Sequence, residues 1–223
     1  MHLIEIACFN EQSAITAWLG GADRIELCRD KNTDGLTPTA HALQYVLHHV
    51  NIPVNVMIRP REGNFIYTEE EFEQMKNEIL GFKNSGVAGF VFGCLNPNHT
   101  VNMAQNKVLL ALANPLPCTF HKAFDACVDL NKSLEDLIML GFETVLTSGG
   151  SPTALEGVEQ LLELKPIAAS KINILVGGSV RSHNLKAIKA ICGLNQYHSS
   201  GIIDGGELAD LNEILAIVKS AIE

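Results

Sequence analysis

The chain has 223 residues, of which 47% are hydrophobic and 18% charged, and its formal net charge is −9. This size and composition suit one domain spanning residues 1–223, and the negative charge argues against nucleic acid or an anionic membrane as a partner. No apolar run is long enough to span a bilayer and the first residues lack signal-peptide features, so a cytoplasmic protein is expected.

Six cysteines lie well apart, at positions 8, 28, 94, 118, 127 and 192. Without a closely spaced pair they predict reduced thiols, not a disulfide framework or a zinc knuckle. A metal site would therefore have to be assembled from distant strands, and no organic cofactor is predicted.

Short β-prone segments alternate with helical stretches along the chain. Strands are predicted at 3–8, 24–28, 53–59, 89–92, from 118, at 143–146, 171–176 and 196–199. Glycine after a helical pattern, at Gly20, Gly86 and Gly141, predicts a left-handed helix cap before the next strand. Eight such units of about 28 residues predict a compact (β/α)8 barrel of the TIM type, with an open doubly wound sheet as the alternative.

Helix starts carry recognisable signals. Thr37 and Ser151 each precede a proline, which predicts a capping hydroxyl followed by proline in the first helical turn. Thr68 with Glu71 forms a capping box pattern, and Asp210 begins a similar pattern before the last helix.

The stretch from Cys118 to Asp125 reads as a buried strand that ends in His121, Lys122 and Asp125. In a parallel barrel, chemistry is placed at this end of the strands. His121 and Asp125 are therefore candidate catalytic residues, although a histidine near a strand end can equally be a hydrogen-bonded structural residue.

Alternation along the strands predicts that Glu5 and Glu26 point into the barrel as close neighbours. Two carboxylates there need a cation, a proton or a basic partner, and Arg59 is the predicted partner. Glu26 and Arg59 are candidate catalytic residues, with a purely structural ion-pair network as the alternative. Glu5, Arg59, Arg61 and His198 are candidate ligands for a carboxylate or phosphate at the mouth.

Glycine-rich segments follow the sixth, seventh and eighth strands, at 147–150, 176–179 and 199–201. Glycine lets backbone N–H groups approach an oxyanion, and loops after the last barrel strands often hold phosphate. Ser148, Gly149, Gly177 and Gly178 are therefore predicted to bind an anion, although each glycine pair can also be a simple turn.

Cys8 and Cys28 end adjacent strands, and thiolates select Cu(I). Parity counts against the pair, because Cys28 shares the inward face of Glu26 whereas Cys8 alternates with Glu5.

Several segments together resemble the CutC family: residues 4–8, 20–28, 35–38, 57–61, 120–125 and 146–150. The resemblance implies a TIM-type barrel, a cytoplasmic homodimer and a role in copper homeostasis through Cu(I) binding or trafficking, with Cys8 and Cys28 as the copper ligands. The mouth residues that match the family pattern are Glu5, Glu26, Arg59, His121, Asp125 and His198. Lys122 departs from it, since arginine is usual there.

These observations leave three hypotheses open. The first is a copper-handling protein that binds Cu(I) through Cys8 and Cys28. The second is a barrel enzyme of isomerase, aldolase or lyase type acting on a small phosphorylated or carboxylated metabolite, with proton transfer by His121 and Asp125. The third is a sensor or scaffold that binds a ligand without turnover.

Overall fold

The computed structural model describes residues 2–203 and 205–223. Within these residues eight strands alternate with eight helices, and each strand pairs in parallel with the next one along the chain. The last strand also pairs with the first, which closes the sheet. The protein is therefore a (β/α)8 TIM-type barrel, and the open doubly wound alternative is wrong.

The strands are β1 (Leu3–Cys8), β2 (Arg24–Leu27), β3 (Val54–Met57), β4 (Gly89–Phe92), β5 (Cys118–Phe120), β6 (Thr144–Thr147), β7 (Asn173–Val176) and β8 (Gln196–Ser199). The helices are α1 (Glu11–Leu19), α2 (Ala40–His49), α3 (Glu69–Phe82), α4 (Met103–Ala113), α5 (Leu130–Leu140), α6 (Val158–Ala168), α7 (Ser182–Cys192) and α8 (Leu211–Ile222). Short 3-10 turns, Lys31–Thr33 and Lys122–Ala126, follow β2 and β5.

Alternate residues of each strand lie on opposite sides of the barrel wall. On β1, Ile4, Ile6 and Cys8 are fully buried in the main core between the strands and the helices. Glu5 lies between them in sequence and bonds instead to polar side chains of other strands inside the barrel. The predicted inward orientation of the polar strand residues is therefore correct.

Two predicted helix starts are wrong. α2 begins at Ala40, because Thr39 and not Thr37 caps it by accepting the N–H of Ala42. Thr37 instead accepts the N–H of Arg59 and so ties the loop after β2 to the end of β3. α6 begins only at Val158, since residues 151–157 form bends and turns within the loop after β6.

Other local signals are confirmed. The Thr68 capping box has both of its hydrogen bonds, and Asp210 caps α8 by accepting the N–H of Glu213. Gly141 is the left-handed cap of α5, with φ of 90°. Gly86 is also left-handed, with φ of 93°, but it lies in the turn after α3, whose cap is Lys83. Gly20 is not left-handed, because its φ is −78°.

Among residues 2–203 and 205–223, none of the helices combines the length and the apolar character needed to cross a bilayer.

Candidate functional site

The carboxyl ends of the strands surround an open cavity of ≈ 1140 Å³. Loops that follow most of the strands form its rim, as expected for the mouth of a TIM-type barrel. The cavity is lined by several of the predicted site residues, namely Glu26, Arg59, His121, Asp125, Gly178 and His198. This volume can hold a metabolite-sized ligand.

Glu26 and His198 line this cavity, and Glu5 and Arg24 are joined to them inside the barrel. We call Glu5, Arg24, Glu26 and His198 the floor cluster. The barrel register places Glu5 beside Arg24 of β2 on one side and beside His198 of β8 on the other. Arg24 Nε donates to Glu5 Oε2 over 2.5 Å, and His198 Nδ1 lies 2.9 Å from Glu5 Oε1. His198 Nε2 lies 3.7 Å from Glu26 Oε2, so the imidazole bridges the two carboxyl groups.

The two carboxyl groups differ in their charge. Burial by itself would raise the pKa of Glu5, but the charge and the hydrogen bonds of Arg24 and His198 outweigh it and lower that pKa to about 2. Burial raises the pKa of Glu26 to about 7, with a further contribution from the negative charge of Glu5 and an opposing one from His198. Glu5 is thus a fixed anion, whereas Glu26 exchanges its proton near neutral pH.

Glu26 is also incompletely hydrogen-bonded. Its Oε2 accepts a weak contact from Cys28 Sγ at 3.5 Å, whereas its Oε1 is buried and receives no hydrogen bond from any described residue. Buried polar atoms normally have partners. The free oxygen is therefore available for a ligand.

Burial has the opposite effect on the pKa of His198 from its effect on the pKa of Glu26. It would lower the pKa of the imidazole, but the adjacent Glu26 and Glu5 raise it overall. Because Nδ1 faces the ionised Glu5, it carries a proton and donates, which leaves Nε2 facing Glu26.

The predicted pairing of Arg59 with the two carboxylates is wrong, because Arg24 pairs with Glu5 and His198 lies beside both Glu5 and Glu26. Arg59 is buried and donates to the carbonyl oxygens of Thr33 and Gly35 through Nη1 and of Gly63 through Nη2. Its guanidinium also lies over the ring of Phe65. Arg59 therefore holds together the loops after β2 and β3, and only its buried Nε lacks a partner among the described residues.

Arg61 donates to Glu71 Oε1 of α3 at 2.6 Å and, within its own loop, to carbonyl oxygens of residues 62, 64 and 66. It does not line the cavity in the described structure. The geometry thus gives it a loop-stabilising role and no direct position at the mouth.

The glycine segment after β6 binds the protein's own carboxylate. Asp125 accepts hydrogen bonds from the backbone N–H groups of Ser148 and Gly150 and lies within bonding distance of the Thr147 and Ser148 hydroxyl groups. The anion that this loop was predicted to bind is Asp125 itself. Asp125, Ser148 and Gly149 therefore hold the loop together. The carboxylate oxygens that Asp125 would need for proton transfer are occupied by these hydrogen bonds.

His121 is buried beneath the mouth. Its Nδ1 accepts the N–H of Ala123 at 3.2 Å, so the neutral ring carries its proton on Nε2. Nε2 is buried and has no described partner, although the residue lines the cavity. Burial and the nearby charge of Arg59 lower the pKa of His121 to about 3. His121 is therefore a neutral hydrogen-bond donor rather than a base.

The two cysteines lie in different environments. Cys8 is buried in the main core and its Sγ lies 3.4 Å from the carbonyl oxygen of Ile6. Cys28 belongs to a separate small cluster with Met57 and Val91 inside the barrel. Burial, and then the charge of Glu26, raises the pKa of both thiols well above the ordinary value. Without a metal both thiols are protonated, and their places in different clusters agree with the opposite strand parity of the two residues.

Glu5, Glu26 and His198 are the described residues whose ligand atoms lie close enough, within 4.8 Å of one another, to hold a metal ion together. Carboxylate and imidazole donors suit a borderline or hard divalent cation better than Cu(I). Glu5, however, already has Arg24 as its cation, and His198 lies between the two carboxyl groups. A proton on Glu26 reduces the negative charge of this cluster without displacing Arg24 or His198.

Sequence reasoning missed two cationic residues of the site. Arg24 has the same strand parity as Glu26, and that signal could have identified it. Arg181, at the end of the loop after β7, lines the cavity and bonds to both Ser199 and Ser200. Its contacts depend on how the loops after β7 and β8 meet in space, which strand periodicity does not reveal.

Fold and site together define an eight-stranded β/α barrel protein with a buried acidic cluster beneath the mouth. The model of the CutC family matches residues 2–203. The chain belongs to the CutC family.

Known relatives extend over most of the chain. A human copper homeostasis protein cutC homolog is 42% identical over 198 residues, which cover 89% of this chain and 72% of that protein. A family protein CutC from Porphyromonas gingivalis is 41% identical over 197 residues, covering 88% of this chain and 79% of the relative.

Solved structures give the same result for the fold. The putative copper homeostasis protein CutC from Streptococcus agalactiae superposes with a TM-score of 0.85 at 32% identity, covering 90% of this chain and 99% of that chain. Phosphoribosyl anthranilate isomerase from Thermotoga maritima reaches 0.66 at 12% identity, covering 100% of this chain and 99% of that one, and so shares the fold alone.

Proposed function

We propose that this protein is an enzyme that transfers protons to and from a small phosphorylated or carboxylated metabolite bound at the barrel mouth, in an isomerase, aldolase or lyase type of reaction. The observation that carries the proposal is Glu26: a buried carboxyl at the cavity floor with one unpartnered oxygen and a pKa of about 7. A general acid–base group works best when its pKa is close to the working pH.

The surrounding residues supply the other parts of such a reaction. His198 exchanges a proton with Glu26 and is kept in one orientation by the ionised Glu5. His121 offers its Nε2–H to a substrate oxygen, as a neutral donor that polarises a carbonyl group. Glu26 would then remove a proton from the neighbouring carbon. Asp125, whose oxygens are engaged by the loop after β6, has a positioning role.

Isotope exchange tests this proposal even though the product is unidentified. The protein would be incubated in D₂O with a panel of phosphorylated sugars and 2-oxo acids, and loss of individual C–H signals followed by proton NMR. We expect exchange with at least one compound, reduced at least a hundredfold in Glu26→Gln. Glu159→Gln, on the exposed side of α6, is the matched control and should exchange at the wild-type rate.

The outcomes separate the hypotheses. Exchange that persists in Glu26→Gln would overturn the role of Glu26. Binding of a panel compound without any exchange would contradict turnover and favour the sensor or scaffold hypothesis.

Copper binding is the second candidate, and the names of the relatives favour it. The human relative and the streptococcal structure are both named as copper homeostasis proteins. In this chain the candidate Cu(I) ligands are Cys8 and Cys28, and their separate environments count against a shared ion. A cytoplasmic location and a homodimer, which the family resemblance implies, are proposed with either function.

An anaerobic Cu(I) titration against a competing chelator tests the copper proposal. Tight binding of one equivalent, lost in both Cys8→Ser and Cys28→Ser and kept in Cys127→Ser, would support it. Binding that is no tighter than the chelator, or that is unchanged in the first two variants, would contradict it.

A further inference from the structure

The rim of the cavity near β7 and β8 contains a guanidinium whose charge is not balanced by any described carboxylate. Arg181 is half-buried and lines the cavity. Its Nη1 donates to the carbonyl oxygen of Val180 at 2.8 Å and to Ser199 Oγ at 3.1 Å, and its Nη2 donates to Ser200 Oγ at 3.1 Å. These partners are all neutral, and they leave further guanidinium donors unused.

The nearest acidic residue on the adjacent helix is engaged elsewhere. Glu213 accepts hydrogen bonds from the Ser182 N–H and the Ser182 hydroxyl at the start of α7, over 2.8 and 2.7 Å. The backbone N–H of Arg181 donates to the side-chain oxygen of Asn184. Burial accordingly lowers the pKa of Arg181, with Glu213 only partly opposing it. A partly desolvated cation with neutral partners gains most from an anionic ligand.

The other anion sites predicted at the mouth are already filled. The loop after β6 binds Asp125, Arg61 binds Glu71, and Arg59 binds backbone carbonyl groups. What remains open is the rim formed by Gly178 and Ser179 on one side and Ser200 on the other, all of which line the cavity with Arg181 and His183.

The shape of this rim is fixed by the backbone. Gly178 has φ of +108°, and a Cβ there would come within 2.7 Å of the Ser148 Cβ, so only glycine allows this close approach. Ser179 is also left-handed, with φ of 54°. The loop after β7 is thereby held against the loop after β6, and Arg181 emerges beside Ser200 at the cavity edge.

We infer that Arg181, together with Ser200 and the Gly178–Ser179 turn, binds a terminal phosphate monoester group of the substrate. This inference rests on the proposed function and names its substrate class. His198 touches Glu26 and precedes Ser200 by two residues, a rise of about 7 Å along a strand. A ligand whose phosphate lies at Arg181 and whose reacting carbon lies at Glu26 would therefore need only a short carbon chain between the two groups.

Phosphate binding is measured separately from proton transfer. Inorganic phosphate, methyl phosphate and, for comparison, acetate would be titrated into the protein at constant ionic strength, with the shift in melting temperature and phosphorus NMR line width as readouts. We expect methyl phosphate to bind the wild type, Arg181→Gln to raise its Kd about tenfold or more, and Arg181→Lys to recover part of the loss.

Two control variants make the assignment specific. Glu26→Gln should keep methyl phosphate binding although it abolishes isotope exchange, so failure of the phosphate site and failure of the proposed function are distinguishable. Arg61→Gln should leave the phosphate Kd within twofold of the wild type. The inference is overturned if methyl phosphate does not bind, if acetate binds equally well, or if Arg181→Gln binds as tightly as the wild type.

Discussion

Arg24 controls the charge of the barrel floor. It supplies the positive charge that keeps the fully buried Glu5 ionised, and Glu5 in turn orients His198 beside Glu26. Arg24 and His198 together keep Glu5 ionised, whereas burial raises the pKa of Glu26.

Replacing Arg24 by methionine should therefore leave Glu5 buried without its cation. We expect a loss of about 3 to 5 kcal/mol in the free energy of unfolding, measured by urea denaturation at pH 7. Arg24→Lys, which keeps the charge, should lose less. A loss below about 1 kcal/mol in Arg24→Met would show that His198 alone compensates the charge of Glu5, or that Glu5 becomes protonated without cost.

His121 should remain neutral over the whole physiological range, because its pKa is lowered to about 3. Nitrogen NMR of the histidine side chains should show a single tautomer protonated at Nε2 between pH 5 and 8. Titration of His121 within that interval would contradict the hydrogen bond from Ala123 and the assigned donor role.

Strand periodicity predicted some contacts of the site residues and not others. Strand alternation correctly predicted that Glu5 and Glu26 face inward and that Cys8 and Cys28 face opposite sides. Arg59 was predicted as the partner of the two carboxylates because it lies at the end of the third predicted strand, at the mouth. The carbonyl groups that Arg59 binds belong to loops, and loop conformation leaves no periodic signal in the sequence.

At the scale of elements, the loops after β5 and β6 form one unit through Asp125. Its carboxylate takes the place of a bound anion in the glycine segment after β6, and it thereby connects two successive β/α units.

Asp125→Asn should loosen this connection, since an amide offers one acceptor oxygen where the carboxylate offers two. We expect a loss of roughly 1.5 to 3 kcal/mol in the free energy of unfolding. Hydrogen exchange should be faster at the N–H groups of Ser148 and Gly150 than in the wild type, while α2 amides keep their protection. Unchanged exchange at these two N–H groups would contradict the loop role.

The start of α3 was predictable from local sequence, because the capping box involves residues only three apart. Thr68→Ala removes the side chain that accepts the Glu71 N–H. We expect a loss of about 1 kcal/mol in the free energy of unfolding. Thr16→Ala, in the middle of α1, is the matched control and should change it by less than about 0.5 kcal/mol. Equal losses in the free energy of unfolding for Thr68→Ala and Thr16→Ala would show that the Thr68 cap does not stabilise α3.

Proline after a hydroxyl residue was a poorer guide to helix starts. The Thr37 hydroxyl bonds to the end of β3 instead of to a new helix, and the Ser151 carbonyl accepts a hydrogen bond from Ser148 in its own loop. The Thr37 contact forms only after the barrel has brought two β/α units together, so a local pattern cannot distinguish it from a cap. The alternation of strands and helices was sufficient for the barrel as a whole, whereas the extent of a single domain over residues 1–223 stays a prediction.

For the whole molecule, the floor cluster links stability to pH. The pKa of Glu26 is about 7 in the folded state against an ordinary value of 4.5. The folded protein therefore holds this proton more tightly than the unfolded chain. The resulting stability is fully present below pH 4.5 and is lost as the pH rises through about 7. The raised pKa of His198 acts in the same direction.

We expect the free energy of unfolding to fall by about 3 kcal/mol between pH 5 and 8.5 on account of Glu26, measured by urea denaturation across that range. Glu26→Gln, which cannot ionise, should show a flatter profile, and Glu159→Gln should follow the wild type. A wild-type profile that rises over this interval would contradict the assignment.

The pairing of β1 with β8 brings together residues that are 193 positions apart in the chain, Glu5 and His198. The floor cluster is thus completed by barrel closure itself. A folding intermediate that lacks the last strand contains Glu26 and Arg24 but has no imidazole between the carboxyl groups. Under the proposed function, proton transfer should therefore appear in a single step with the final closure, so partly folded chains would be inert even when most of the barrel has formed.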